Sequence, residues 1–354
     1  MPDAMETTES KLRLAIVGCG TVSERFHAPA LRGFGGFQPL VMVDRQTQRA
    51  ELLAKGFPNA VVESDYKQLA GRVDAAIIAL PGHLNAEVAA ELLKMGISVL
   101  VEKPAALTVR DAQSLAAAAS AASGTLAVGF IRREAVSVRM ARECIQNGML
   151  GDITGFSIED GYLFNWKAVN EFRFDRARGG GILYDIGSHV LDLLSHWFQS
   201  PRIKRYLDDC KGGVDTNAFA EIETAEGVAG TVELSWTREL RNSAQITGTR
   251  GTLEVRWYTN EARLSLPRGT PALGGEVTGD LNLATGAQTF PHMFLSQLQR
   301  WHRSLLPGNP FAESMADAAD ALRNIELIAR CQSMREDWNL PWRSTSGHSQ
   351  EVGR

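Results

Sequence analysis

The sequence predicts an α/β protein of two domains: a doubly wound parallel sheet at the N-terminal end, then a second α/β domain built on a large, mostly antiparallel open sheet. Three observations predict it. Over residues 11–130 short apolar strands alternate with helical patterns, as parallel strands joined by crossover helices must. Beyond residue 130 alternating strands follow one another with few helices between them, which suits an antiparallel sheet with one covered face. A length of 354 residues also favours two cores over one. The domains so read are 11–130 and 131–343, with polar tails at 1–10 and 344–354.

The first strand, 11–17, runs straight into Gly18-Cys19-Gly20-Thr21-Val22-Ser23. This is Gly-x-Gly-x-x-Ser, a variant of the dinucleotide fingerprint. The first glycine permits the tight strand-to-helix turn, and the second lets a pyrophosphate approach the backbone. The third place needs only a small residue for close helix packing. The helix that follows offers its free N–H groups to phosphate. A second strand, 39–43, ends at Asp44, at the right distance from the glycines to bind the adenosine ribose hydroxyls. A lesser alternative is that this aspartate caps a strand end or a helix. Strands at 60–62, 73–80, 97–101 and 125–130 alternate with helices at 65–69, 85–95 and 108–123. Ligands in such sheets lie at the carboxyl ends of the strands. Gly18–Val22, Asp44, Leu80-Pro81 and Glu102-Lys103-Pro104 all fall there. Lys103, directly after a buried strand and fixed by a proline, points into that cleft.

After a helix at 136–148, strands are expected at 153–162, 214–223, 228–236, 244–247 and 251–257. Residues 261–290, rich in Gly, Pro and Thr, read as a long loop or irregular hairpin, and helices return at 294–306 and 314–335. Between the first two strands lies Gly179-Gly180-Gly181, a tight turn with room beside it, leading into a helix with Asp185 and His189 one turn apart. An acid orienting an imidazole beside a glycine-walled space is a plausible general base. Asp192 and His196 continue the stripe, so it could alternatively hold a metal. They lie farther from the glycine turn, and we favour no metal.

Composition narrows the function classes. A formal net charge of −4 gives no basic excess for nucleic acid, and no apolar run is long enough to span a bilayer. Four scattered cysteines without a CxxC pair suit free thiols in a reducing cytoplasm. The first ten residues are polar and acidic and read as a tail, not a leader.

Taken together the motifs closely resemble the Gfo/Idh/MocA family of nicotinamide-dependent oxidoreductases, named for glucose-fructose oxidoreductase and inositol dehydrogenase. The markers are the Gly-Cys-Gly turn, Glu102-Lys103-Pro104, Gly179-Gly180-Gly181 followed by Asp185-x-x-x-His189-x-x-Asp192, and the Gly248-x-x-Gly251-Thr252 turn. The resemblance implies a Rossmann domain binding NAD, with NADP possible. It also implies a catalytic trio of Lys103, Asp185 and His189, and a second domain whose open sheet face often forms a dimer or tetramer. The cofactor contacts expected are Gly18, Gly20, Thr21, Val22, Asp44, Arg45, Leu80, Pro81, His83, Asn85, Glu102 and Lys103. Two of these depart from the family pattern: where many relatives have a histidine four residues after the proline, this chain has Asn85, with His83 earlier. The turn Phe130-Ile131-Arg132-Arg133 also differs from the asparagine-containing version many relatives carry.

The reaction expected is hydride transfer between nicotinamide and a secondary alcohol or ketone of a sugar, polyol or sugar derivative. His189 would take the hydroxyl proton and Lys103 would stabilise the developing alkoxide. Arg132, Trp166 and Arg173 are the expected substrate contacts. Two alternatives remain: glycoside cleavage through transient oxidation by a held NAD, and a non-catalytic dinucleotide-binding sensor.

Overall fold

The first strand, β1 (Leu12–Val17), is apolar on both sides because it lies in the middle of a sheet covered on both faces. This computed structural model describes residues 11–164, 171–267, 270–272, 275–277, 280–286, 288–309 and 315–340. Both expected tails and Trp166 lie outside the described residues. The other strands of the first sheet are β2 (Phe37–Val43), β3 (Val61–Glu63), β4 (Ala75–Ile78), β5 (Ser98–Glu102) and β6 (Leu126–Gly129). Their order is β3-β2-β1-β4-β5-β6, all parallel, which is the dinucleotide-binding arrangement. The helices between them are α1 (Ala28–Arg32), α2 (Thr47–Ala54), α3 (Gly82–Lys94) and α4 (Val109–Ala121). The expected helix at 65–69 is a single 3₁₀ turn, Tyr66–Leu69, with Asp65 as its cap.

A helix α5 (Val136–Gln146) and strand β7 (Ile153–Gly161) open the second sheet, and α6 (Ser188–Trp197) follows the triple glycine. Then come β8 (Arg202–Asp208), β9 (Asn217–Glu223), β10 (Ala229–Ser235), β11 (Ser243–Gly248), β12 (Gly251–Arg256) and β13 (Glu261–Ser265). A small hairpin, β14 (Thr270–Ala272) and β15 (Gly275–Val277), precedes β16 (Asp280–Ala284). The chain closes with α7 (Phe290–Leu305), α8 (Ala318–Ser333) and β17 (Arg335–Asp337). The nine strands lie in the order β16-β13-β12-β11-β7-β10-β9-β8-β17. Only β7–β10 and β8–β17 are parallel pairs. The segment 261–290, read as a long loop or irregular hairpin, holds the antiparallel sheet strands β13 and β16 with a small hairpin between them. Ala262 and Leu264 are buried between exposed Glu261 and Arg263, a two-residue rhythm too short to stand out among the surrounding glycines and prolines.

The chain divides into two compact units, 1–134 with 289–322, and 135–288 with 323–354. The sequence reading ran the second domain unbroken from 131 to 343. Contacts explain why α7 joins the first unit: Phe294 stacks on Phe26 at 4.9 Å, and Ser296 donates to Glu134 at 3.0 Å. Ala316 accepts the Val128 N–H at 2.8 Å and enters the core of the parallel sheet. In the second unit the buried face of the large sheet carries Ile158, Ile222, Leu234, Ile246 and Val255. Its opposite face is polar and bound by ion pairs, including Arg238–Glu233 at 2.7 Å and Arg241–Glu159 at 2.6 Å. Among the described residues no helix is long and apolar enough to cross a membrane.

Candidate functional site

In the first unit the chain leaves β1 through Gly18, whose φ of +94° only glycine tolerates readily. A Cβ there would run into the Ala79 carbonyl at the end of β4, so the turn is pressed against the neighbouring strand. At Gly20 the opposite holds: nothing lies within 4 Å of where its Cβ would be. That open space beside the start of a helix is where a pyrophosphate fits. Thr21 and Val22 begin the helix, and Ser23–His27 then widens into a π turn before α1. Ser23, in the third fingerprint place, is fully buried, and its hydroxyl donates to the Gly18 carbonyl at 2.5 Å.

Asp44 closes the turn from β2. Its Oδ2 accepts the Cys19 N–H at 2.9 Å, and its Oδ1 accepts the Gln46 N–H at 2.8 Å. The carboxylate thus carries the local capping role weighed for it while remaining half-buried at the strand end, next to exposed Arg45. Burial, with Asp44 beside it, pushes the Cys19 thiol up to about 12, so this thiol stays protonated.

Leu80 and Pro81 follow β4, and Gly82 starts α3 with exposed His83 in its first turn. Asn85 is fully buried, and its amide donates to the carbonyls of Glu102 at 3.1 Å and Pro104 at 2.9 Å. Those two bonds bracket Lys103. Asn85 therefore holds the lysine loop, and its buried Oδ1 has no partner among the described residues. The Lys103–Pro104 peptide is cis. Glu102 is held as well: its Oε1 lies 2.8 Å from His27 Nε2, and its Oε2 accepts the Lys103 N–H at 3.3 Å. His27, 3% exposed, comes from the π turn and stands edge-on to Phe294 at 4.9 Å. Glycine turn, Asp44, Leu80-Pro81 and Glu102-Lys103 thus share the carboxyl end of one sheet, and the open Gly20 and orphaned Asn85 oxygen fit a bound dinucleotide. Arg132, 3% exposed, sits in the 3₁₀ turn Ile131–Glu134 after β6; its neighbour Arg133 pairs with Asp320 at 3.0 Å.

In the second unit Gly181 has φ +106°, and a Cβ there would collide with the Asp215 carboxylate. The helix starts at Ile182, widens into a π turn over Leu183–Gly187 and continues as α6. Asp185 lies in the π turn and His189 in the first turn of α6, both half-buried. Asp185 Oδ2 accepts from Arg173 Nη1 at 2.9 Å. Arg173, expected as a substrate contact, thus pairs with the acid of the stripe. Asp192 is buried at 2% exposure. The expected strand 214–223 begins only at Asn217, and Asp215 belongs to the preceding loop. There its Oδ2 accepts the Leu183 N–H at 2.8 Å, and burial, with Asp208 and Asp209 nearby, pushes it up to about 6.

Family models match both parts of the chain. The model described as the oxidoreductase family with an NAD-binding Rossmann fold covers residues 12–130, and the GFO/IDH/MocA C-terminal domain covers 138–254. The chain belongs to the Gfo/Idh/MocA family. Its curated relatives include a D-glucoside 3-dehydrogenase of Escherichia coli, 29% identical over 61% of this chain and 60% of that protein. Several relatives are thus matched over only about half to three-fifths of their length. A dTDP-3,4-didehydro-2,6-dideoxy-α-D-glucose 3-reductase of Streptomyces violaceoruber is 26% identical over 91% of this chain and 94% of that one. Among solved structures, the 3-ketoreductase KijD10 of Actinomadura kijaniata, in complex with NADP and TDP-benzene, shares the fold at TM-score 0.78 and 20% identity. It covers 94% of this chain and 100% of its own. A levoglucosan dehydrogenase in complex with NADH aligns at TM-score 0.80 and 19% identity over 92% of this chain and 96% of that one.

Sequence reasoning missed two residues in this member of the Gfo/Idh/MocA family, and it named Arg173 without its ion pair to Asp185. His27 and Asp215 make contacts with residues distant in the chain. Only Asp215 had a signal in reach: an acid directly ahead of a strand, beside glycines that leave room for it.

Proposed function

We propose that the chain is a dehydrogenase/reductase that moves a hydride between NAD and a secondary alcohol or ketone of a sugar, polyol or sugar derivative. The observation that carries this reading is the Asp185–Arg173 pair with His189 one turn on, in a chain that also presents Lys103 from a bracketed loop. Oxidation of a carbinol needs a base for the hydroxyl proton, and His189 takes it. Asp185 favours the imidazolium so formed, and Arg173 moderates that charge. Lys103 lowers the alkoxide's energy as the proton leaves. The dinucleotide supplies the hydride acceptor, held by the Gly18–Val22 turn with Asp44 on its adenosine ribose. A 2′-phosphate would meet the Asp44 carboxylate, so NAD is preferred, with NADP tolerated to the extent that Arg45 turns toward it.

Relatives named for glucoside and deoxyglucose chemistry support a sugar-like substrate. In this reading residues 11–130 bind the dinucleotide, while 131–343 bind substrate and self-associate as a dimer or tetramer through the polar sheet face. The protein then works in the cytoplasm, and Arg132, Trp166 and Arg173 are candidate substrate contacts. The test is a panel of sugars, polyols and sugar nucleotides with NAD and with NADP, followed at the reduced-nicotinamide absorbance band. Reduction of NAD by a member of the panel supports the proposal. Glycoside cleavage without net NADH, or binding of NAD with no turnover on any sugar, overturns it. Light scattering with size-exclusion chromatography reads the assembly.

A further inference from the structure

We propose that Asp215 is a positioning residue: its carboxylate and carbonyl fix the glycine turn from which the helix bearing Asp185 and His189 starts. This rests on the catalytic reading of those two side chains. Three successive amides of the turn are pinned. The Gly181 N–H donates to the Arg173 carbonyl at 3.0 Å, the Ile182 N–H to the Asp215 carbonyl at 2.9 Å, and the Leu183 N–H to Asp215 Oδ2 at 2.8 Å. The first N–H groups of a helix have no partner within it, so whatever accepts them sets where the helix begins. Here two of the three acceptors belong to residue 215. The third belongs to Arg173, whose guanidinium holds Asp185 two residues farther along. Turn and acid are thus clamped from two sides. Gly181 completes the clamp, because any side chain there would displace the Asp215 carboxylate.

The platform under Asp215 is itself rigid. Asp209, 1% exposed, accepts the N–H groups of Thr216 at 2.8 Å and Asn217 at 3.0 Å. Asp208 accepts the Cys210 N–H at 3.0 Å and is paired with Arg335 of β17 at 2.6 Å. Asp208 at the end of β8, Asp209 just after it, Tyr206, Cys331 from α8 and Tyr184 from the π turn are close enough to interact electrostatically with the carboxylate. Burial raises Asp215 to about 6, so keeping it ionised at neutral pH opposes folding. A charge retained at that expense complements the positive end of the helix, as a carboxylate at a helix start does.

The test compares Asp215→Ala, Asp215→Asn and the catalytic control His189→Ala in the full chain. Amide hydrogen exchange at 182 and 183 reads the clamp without any reference to activity. We expect Asp215→Ala to speed exchange at these amides at least about tenfold. It should lower kcat by roughly 10–100-fold, the scale of a displaced catalytic group. Dinucleotide Kd should stay within about twofold and KM should change little, because the loss falls on positioning. Asp215→Asn keeps an acceptor and should recover most of both losses. Unchanged exchange in Asp215→Ala, wild-type kcat in that variant, or an asparagine variant no better than alanine would each overturn the proposal. Should the alanine chain fail to fold, Asp215→Ser, whose hydroxyl falls short of the Leu183 amide, replaces it with the same expectations. Wild-type turnover by His189→Ala would sink the catalytic reading instead, while the exchange data would still decide the clamp.

Discussion

Two glycine turns lie at the starts of two helices, one in each unit, and they are built alike. Gly18 and Gly181 both have φ near +100°, at +94° and +106°. Each is followed by a π turn, Ser23–His27 in one case and Leu183–Gly187 in the other. In each an aspartate from elsewhere accepts a turn amide: Asp44 from Cys19, Asp215 from Leu183. The difference lies in what is left exposed. The first turn keeps open space at Gly20, so its backbone N–H groups are its chemistry. The second fills the space at its glycine with a carboxylate and presents side chains instead. In the proposed function one local design would serve anion binding where the backbone is bared and acid–base work where the backbone is used for anchoring.

The largest effects should separate the two turns by what they do. His189→Ala and Lys103→Met should each lower kcat by roughly 10²–10⁴-fold, the usual range for a positioned proton-transfer or charge-stabilising group. The His189 change should leave dinucleotide Kd nearly untouched. Near-normal turnover in the His189 variant would remove the second turn from the chemistry.

Next come the glycines. Gly18→Ala and Gly181→Ala each force a left-handed residue against a fixed neighbour, for a loss of roughly 2–4 kcal/mol in denaturant unfolding. Gly18→Ala should also weaken NAD binding, and Gly181→Ala should spare it while reducing kcat. If both variants lost the same function, the contrast between a binding turn and a catalytic turn would be wrong.

A smaller effect is expected at Asp44. Asp44→Ser should shift the ratio of NAD to NADP affinity toward NADP by about tenfold, through relief of charge repulsion worth about 1.4 kcal/mol. Because Asp44 also holds the Cys19 amide, absolute affinity for both dinucleotides should fall. Titration of both cofactors into apo protein measures each term, and tighter NADP binding by the unmodified chain would reassign selection to Arg45.

The smallest effect is in pH. Asp215 has its carboxyl raised from 3.8 to about 6, so the fold favours its protonated form. Its contribution is full below about pH 4 and lost as pH rises through about 6. Asp74 and Asp209 are lowered by their hydrogen bonds and act in the opposite sense, so wild-type stability alone mixes the terms. The difference in unfolding free energy between wild type and Asp215→Asn isolates it. That difference should move against wild type between pH 4 and 6 and be flat from pH 7 to 8. A flat difference throughout would mean Asp215 titrates as an ordinary surface acid.

Much of this was legible in the sequence because it is local. Gly18-Cys19-Gly20 and the apolar runs around it dictate a strand, a turn and a helix within a dozen or so residues. Asp185 and His189 lie four residues apart, so their shared face follows from helical winding alone. What stayed hidden depends on distant partners. His27 and Glu102 meet across 75 residues, and Asp215 reaches Leu183 across 32. Asn85 was expected as a cofactor contact from its place in the family pattern. Its amide also donates to two carbonyls of the lysine loop, which no spacing rule reveals. The strands β13 and β16 were hidden by composition, since glycine and proline in the connecting segment mask a short alternation.

The π turns have a consequence for insertions and deletions. A π turn holds one residue more than an α turn of the same helix, so it is a surplus the backbone could lose without breaking its hydrogen-bond ladder. Deleting Ile186 would let 182–197 wind as an uninterrupted α-helix. The surplus residue is absorbed within the π turn, so the α-helical segments on either side would keep their register. Asp185 would then stand three residues from His189 and still share its face, because positions three and four apart are neighbours on a helix. A one-codon deletion here would leave the acid and the imidazole side by side, whereas in a regular α-helix it turns everything beyond it by about 100°.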